Sequence, residues 1–322
     1  MFWYLGRRLL RAILLLWAVS VLSFCLSKLA PGDYFDELRL NPEVSAQTMQ
    51  ALRNRYEVGL GIPIAYARWL GSVVQGQWGV SIAYKSPVAP LLWIRARNTL
   101  LLTGTALLLG WTLAVLLALW ASSGRRWRTL SVTAVVSGLQ SIPDTLLVLV
   151  LLVLAGRIPF LAVGGMTSLD FDQLPLRGKL LDLASHLGVP CLALVLALLP
   201  VQLAHAHSAL TETLEEPFVM AAKASGIPNT RLLVRHALRP AANPLITLLG
   251  LSVGTLLSSS LVVEIVVGWP GLGQALLLAI LQRDLDVVVG AVMLSAGLFV
   301  LSNFVADLVL YVVDPRIREE RR

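Results

Sequence analysis

The sequence predicts an all-α protein that crosses a lipid bilayer six times, with both termini on the cytoplasmic side. Three observations carry this: a strongly apolar composition, six long runs almost free of charge, and an uneven share of Lys and Arg among the connecting segments. Of 322 residues, 57% are hydrophobic and 14% charged, whereas about a quarter of the residues in a soluble domain are charged. A soluble core has no room for that much apolar surface, so lipid must solvate it.

About 20 apolar residues cross the hydrocarbon core, and the charge-free runs locate the spans. The first is Leu9 to Ala30, where Arg11 and Lys28 sit near the ends and can snorkel to the interfaces. It follows Arg7 and Arg8 as a secretory leader would. Its apolar run is longer than a leader's, and Lys28 and Pro31 stand where a cleavage site wants small residues, so it reads as an uncleaved anchor. The second span is Asn98 to Gly124, without a charge. The third is Thr129 to Gly156, interrupted only by Asp144. The fourth is Leu183 to Thr211, the fifth Pro240 to Val263, and the sixth Val287 to Val313 with Asp307 near its end. Helices satisfy every backbone group inside the segment, as lipid requires.

Orientation follows from the basic residues. The N-terminus, the loop Arg125-Arg126-Trp127-Arg128, residues 212–239 and the C-terminal tail hold fourteen Lys and Arg against six acids. The other side, residues 31–97, 157–182 and 268–286, holds eleven against ten. The basic side is expected in the cytoplasm. The net charge of +7 is then a topology signal, and nucleic acid is not needed to explain it.

The chain divides into an N-terminal tail and first helix (1–30), a small extracytoplasmic segment (31–97), a five-helix core (98–316) and a short tail (317–322). Within 31–97, Val44 to Tyr56 and Arg68 to Val74 suit surface helices. Cys25 and Cys191 lie in apolar runs and read as small core residues, with no disulfide framework. His205 and His207 are two apart, so on a helix they do not share a face and make a poor metal pair. His186 stands alone.

The informative loop lies between the fourth and fifth spans. Pro217 suits the first position of a helix, where its missing N–H is not needed. Phe218 to Ser225 continues that helix, Gly226 can adopt the left-handed conformation beyond its end, and Pro228 prevents continuation. Asn229 can cap a second helix running to about Leu238. There Arg231, Arg235 and Arg239 recur every four residues as one basic face, and Leu232, Leu233, Ala237 and Leu238 cover much of the rest. Such a helix pair either rests on anionic headgroups or docks a cytoplasmic partner.

The stretch Phe218 to Gly226, followed by Arg235-His236-Ala237-Leu238-Arg239 and Pro244, resembles the cytoplasmic EAA loop of bacterial ABC importer permeases. Glu264 to Gly273 with Arg283-Asp284 resembles the acidic-to-PGxG loop before the last span of the dipeptide, oligopeptide and nickel branch. Asp307 to Arg316 resembles its closing motif. Leu29 to Asp33 and Tyr66 to Gly79 resemble the exit of its first span and the segment beyond. The order and spacing fit the B-type subunit of that branch over nearly the whole chain.

The resemblance implies a permease of the bacterial inner membrane that carries peptides or a related solute. It implies as partners a second permease, two ATP-binding-cassette ATPases and an extracytoplasmic binding protein. Phe218, Ala221, Ala222, Ser225, Gly226, Arg235 and His236 would then face the ATPase. Met220, Ser225, Gln77, Tyr34, Asp286 and Asp144 depart from the usual pattern. ATP and Mg belong to the partners and no cofactor is expected here, since the lone Gly-Lys pair, Gly178-Lys179, precedes Leu180 and forms no phosphate loop.

A charge inside the membrane costs about 2.5–3.5 kcal/mol at a helix centre. Asp144, directly after Pro143 and close to Ser141, either lines a pathway or has a structural partner. Glu264 and Asp307 lie near span ends, where structural pairing or gate contacts are expected. A competing reading uses Asp144, Glu264 and Asp307 as relays in a proton-coupled carrier, but the paired broken helices expected of one are not evident in the two halves. An intramembrane Ser/His enzyme lacks a nucleophile elbow or an HExxH pair.

Overall fold

The computed structural model describes residues 2–29, 61–81, 83–123 and 125–313. Ten α-helices and one two-stranded hairpin are distinguished among them: α1 Phe2–Leu29, α2 Ile62–Val74, β1 Val80–Ser81, β2 Ser86–Pro87, α3 Val88–Ala121, α4 Arg126–Gln140, α5 Asp144–Ala155, α6 Leu176–Leu214, α7 Pro217–Ala224, α8 Asn229–Val267, α9 Leu272–Leu281 and α10 Leu285–Val313. Five helices (α1, α3, α6, α8 and α10) are long and apolar enough to cross a membrane, and the bent pair α4–α5 makes six if counted as one span.

That pair corrects one expectation. Thr129 to Gly156 is no single helix: α4 ends at Gln140, α5 begins at Asp144, and the axis turns by 97° between them. Pro143 lacks the N–H that would continue the ladder and its ring clashes with the preceding turn. It also pushes Ile142 out of helical geometry. Other boundaries shift outward. The second span begins at Val88 rather than Asn98, because the helix runs on through Arg95 and Arg97 past its apolar portion. The fourth begins at Leu176. The apolar helix α9 lies in what read as a loop. Val44 to Tyr56 lies outside the described residues, whereas the second surface helix starts at Ile62, with Pro63 in its first turn.

The chain forms two compact units, residues 1–98 with 270–298 and residues 99–269 with 299–322, and both α3 and α10 run through the boundary. In the first unit α1 meets α2 through aromatic rings: Phe24 lies 5.6 Å from both Tyr66 and Trp69. The Tyr66 hydroxyl also hydrogen-bonds Ser20 Oγ at 2.8 Å. The hairpin β1–β2 pairs Val80 with Pro87 and Ser81 with Ser86. It is tied down from far along the chain, since Asp284, 1% exposed, accepts from Ser81 Oγ at 2.6 Å and from the Ala83 N–H at 3.2 Å. Gly79, at φ +86°, lies so close to Asp286 that a Cβ there would overlap the carboxylate. Val88, Leu92, Leu272 and Val287 form the unit's core.

In the second unit α6 is the most enclosed of the long apolar helices and packs against α4, α5 and α8. It holds Pro190 and Pro200 in its interior, which a membrane bundle tolerates when neighbours satisfy the freed carbonyls. One cluster joins Leu194 and Leu198 of α6 to Leu102, Val148 and Leu256. A second joins Leu203 and Ala206 to Trp111, Val132 and Ala241. Between α8 and the end of α10, contact is at backbone distance. A Cβ on Gly250 would lie 2.6 Å from Ala306 Cβ, and one on Gly254 would lie 2.5 Å from the Phe299 ring. Apolar lipid gives helices no hydrophobic reason to associate, so such small residues supply the close packing.

Candidate functional site

The loop helix pair takes shape from its proline and glycine residues. Pro217 opens α7, and Ser225, Gly226 and Ile227 close it with N–H bonds to Ala221, Lys223 and Ala222. Gly226 sits at φ +79° with nothing within 4 Å of where a Cβ would be. Its role is therefore conformational, the left-handed turn that a side chain resists. Asn229 does not cap. Pro228 takes that position, Asn229 is the first helical residue, and its Nδ2 donates to the Ser123 carbonyl at 3.1 Å.

The second helix also does not stop near Leu238. It continues as α8 to Val267 through a π-helical stretch, Leu232–Ala237, three residues short of Pro240. Widened turns of this kind interrupt the ordinary ladder, which Pro240 cannot continue in any case. The start of the loop's second helix and the fifth span are thus one helix.

The pair has a buried seam and an open face. Val219, Leu232, Leu233 and Ala237 are buried, and α7 packs against both the π stretch and α6. Phe218, Ala221, Ser225 and Gly226 are exposed, Ala222 is half-buried, and Met220, one of the departures from the usual pattern, is 59% exposed. Arg231, Arg235 and Arg239 share the expected exposed face, with His236 half-buried beside it. Beyond the Asn229 contact, the loop before α4 is braced by Arg128. Its guanidinium lies over Trp120 (5.3 Å) and Trp127 (5.6 Å) and donates to Ser123 Oγ. Cation–π contacts of this sort contribute about 0.5–1 kcal/mol at exposed sites. The run Trp120, Trp127, Arg128 was the available signal for this brace.

The membrane-embedded candidates separate. Ser141 and Asp144 lie at the α4–α5 break and are exposed, and Asp144 accepts from Ser259 Oγ of α8 at 3.4 Å. Glu264 is wholly enclosed and accepts from Thr99 Oγ at 2.6 Å, while the turn beyond it folds back as the Trp269 N–H bonds the Glu264 carbonyl at 2.9 Å. Asp307 is half-buried on α10. Among the described residues no three His, Cys, Asp or Glu side chains converge as metal ligands would.

Comparison with known proteins places these features in a family. Residues 100–319 match the family model described as "Binding-protein-dependent transport system inner membrane component". The chain is 31% identical to the oligopeptide transport system permease protein AppB of Bacillus subtilis, over 98% of both chains. It is 33% identical to the glutathione transport system permease protein GsiC of Escherichia coli, again over 98% of both. The matched region contains the helix pair at 217–239, the break at Asp144 and the turn after Glu264. It takes in the apolar spans after the first, except for the opening residues of α3. The chain belongs to the binding-protein-dependent transport system inner membrane component family, the multi-pass permease subunits of ABC transporters, and is itself a transport subunit rather than an enzyme.

Proposed function

We propose that this permease imports peptides or a related small solute, forming a translocation path with a second permease and taking its motion from two ATPase subunits. The observation that carries the coupling assignment is the continuity of α8. Arg231 and Arg235 at its exposed start and Ser259 near its far end belong to one helix, Asn229–Val267. A push on α7 reaches the start of α8 through their packing at the π stretch, and from there it stays within one helix. In this reading Phe218, Ala221, Ala222, Ser225 and Gly226 seat in the ATPase, and Arg235 and His236 border the contact.

In this reading the basic loops, with that face and both termini, lie in the cytoplasm. ATP and Mg are held by the partners. An extracytoplasmic binding protein delivers the solute to the opposite side, and the oligopeptide and glutathione relatives favour a peptide-like cargo. Binding energy that differs between two states is what shifts an alternating-access equilibrium. Here the ATPases supply that difference.

Affinity purification of the tagged chain in mild detergent, with mass spectrometry of its companions, tests the assignment. Recovery of a second permease and P-loop ATPases is expected. An ATPase-free preparation that still transports would replace it with the proton-coupled carrier.

A further inference from the structure

The break between α4 and α5 combines two features that membranes rarely tolerate together. Backbone at Ser141-Ile142-Pro143 leaves helical geometry, which at membrane depth is accepted only inside protein or beside water. Directly after it stands Asp144, an exposed carboxylate. Its depth follows from its neighbours. Ser259 lies eight residues before the end of α8, about 12 Å along the axis, and α5 extends about 16 Å beyond Asp144. This carboxylate therefore sits well inside the apolar band.

Its surroundings are polar on one side only. Thr247, Thr255 and Ser258 recur on one exposed strip of α8 with Ser259 beside it, interrupted by Leu251. The Ser258 and Thr247 hydroxyls donate to carbonyls one turn back, so they are satisfied with or without a solute. Ser259 instead donates to Asp144. Asp144 is the only charge on α5. On α8 the basic residues end at Arg239 and Glu264 is wholly enclosed. No cation of this chain pairs with Asp144 among the described residues.

We infer that Asp144, with the Ser259 hydroxyl and the hydroxyl strip of α8, forms a water-lined subsite for a positively charged group on the transported solute, an ammonium or guanidinium. It rests on the permease reading and names the chemistry of its cargo. Ser259 holds the carboxylate toward the strip. With no fixed counter-charge among the described residues, the site attracts a cation and releases it as the bundle moves.

The test uses the complete transporter in membrane vesicles at low salt, with Cys25→Ser and Cys191→Ala removing the native thiols and Ser259→Cys as reporter. A trimethylammonium methanethiosulfonate and its sulfonate counterpart are compared as probes of similar size and opposite charge. Two unit charges a few ångströms apart in water change each rate about threefold in opposite directions, so the cation-to-anion rate ratio should fall about tenfold on Asp144→Asn. Asp144→Glu should retain it.

A ratio unchanged by Asp144→Asn overturns the inference, because a partner cation then neutralises the carboxylate. Failure of both reagents to react overturns it too, because the site is then dry. Copurifying ATPases with a flat ratio would sink the subsite alone. A shifted ratio without ATPases would sink the ATP-driven import reading and leave the cation site standing.

Discussion

The substitution Gly250→Ala tests the packing that holds α8 against α10. The new methyl would lie 2.6 Å from Ala306 Cβ, an atom fixed to the backbone of the facing helix. Non-bonded carbons settle at about 3.5–4.0 Å, so the helices must part by roughly 1 Å, which also loosens the neighbouring contact between Gly254 and Phe299. Overpacking of this size costs about 1–3 kcal/mol. Ala306→Gly removes the clashing atom at the expense of about 1 kcal/mol of helix propensity. The double variant should therefore be close in stability to Ala306→Gly alone, with a coupling of about 1–2 kcal/mol. Cys191, 5% exposed, is a built-in reporter. In a Cys25→Ser background, a thiol-reactive dye in mild detergent reads the temperature at which α6 becomes accessible. Gly250→Ala should lower it by several degrees, and adding Ala306→Gly should recover much of that. Full stability of Gly250→Ala, or additive losses in the double variant, would refute the close approach of α8 and α10.

Two further substitutions probe the polar contacts. Asp284→Ala leaves the buried Ser81 hydroxyl without its acceptor, which should cost about 1.5–3 kcal/mol; faster hydrogen exchange across 79–87 with the rest unchanged is the expected readout. Gln202 is 2% exposed, its amide has no hydrogen-bond partner, and Gly110 lies against it. Gln202→Met keeps the volume and removes a desolvation penalty of about 1–3 kcal/mol, so thermal stability should rise. A fall would show that the amide finds a partner in the assembled transporter.

What could be read from sequence was what is local. Proline, glycine and the four-residue arginine repeat determine their own backbone, so the left-handed turn at Gly226 and the basic face of α8 were legible. Pro143 marked a gap in the backbone ladder, but the size of the bend was not legible: a charge-free run measures apolarity, and an apolar segment bent by 97° scores the same as a straight one. The helix extensions beyond Asn98 and Leu183 were missed for the same reason, since polar residues end the apolar run before they end the helix. Contacts between distant residues left no local trace. Asp284 holds Ser81 across 203 positions, and Thr99 meets Glu264 across 165. Of the candidate site, the residue types were visible, but the enclosure of Glu264 and the exposure of Asp144 depend on neighbours that sequence spacing does not supply.

The coupling role of the turn at Gly226 is tested most directly by Gly226→Pro, in vesicles containing the complete transporter and its binding protein. Proline fixes φ near −65° and removes the N–H, whereas Gly226 needs φ +79° and donates that N–H to the Lys223 carbonyl. The turn must rearrange, while the spans, which do not include it, still insert. ATP hydrolysis and uptake of a labelled oligopeptide or glutathione are measured side by side. The account predicts an assembled complex that hydrolyses ATP but accumulates little solute. Uptake at the wild-type rate would show that α7 and Gly226 do not transmit the motion.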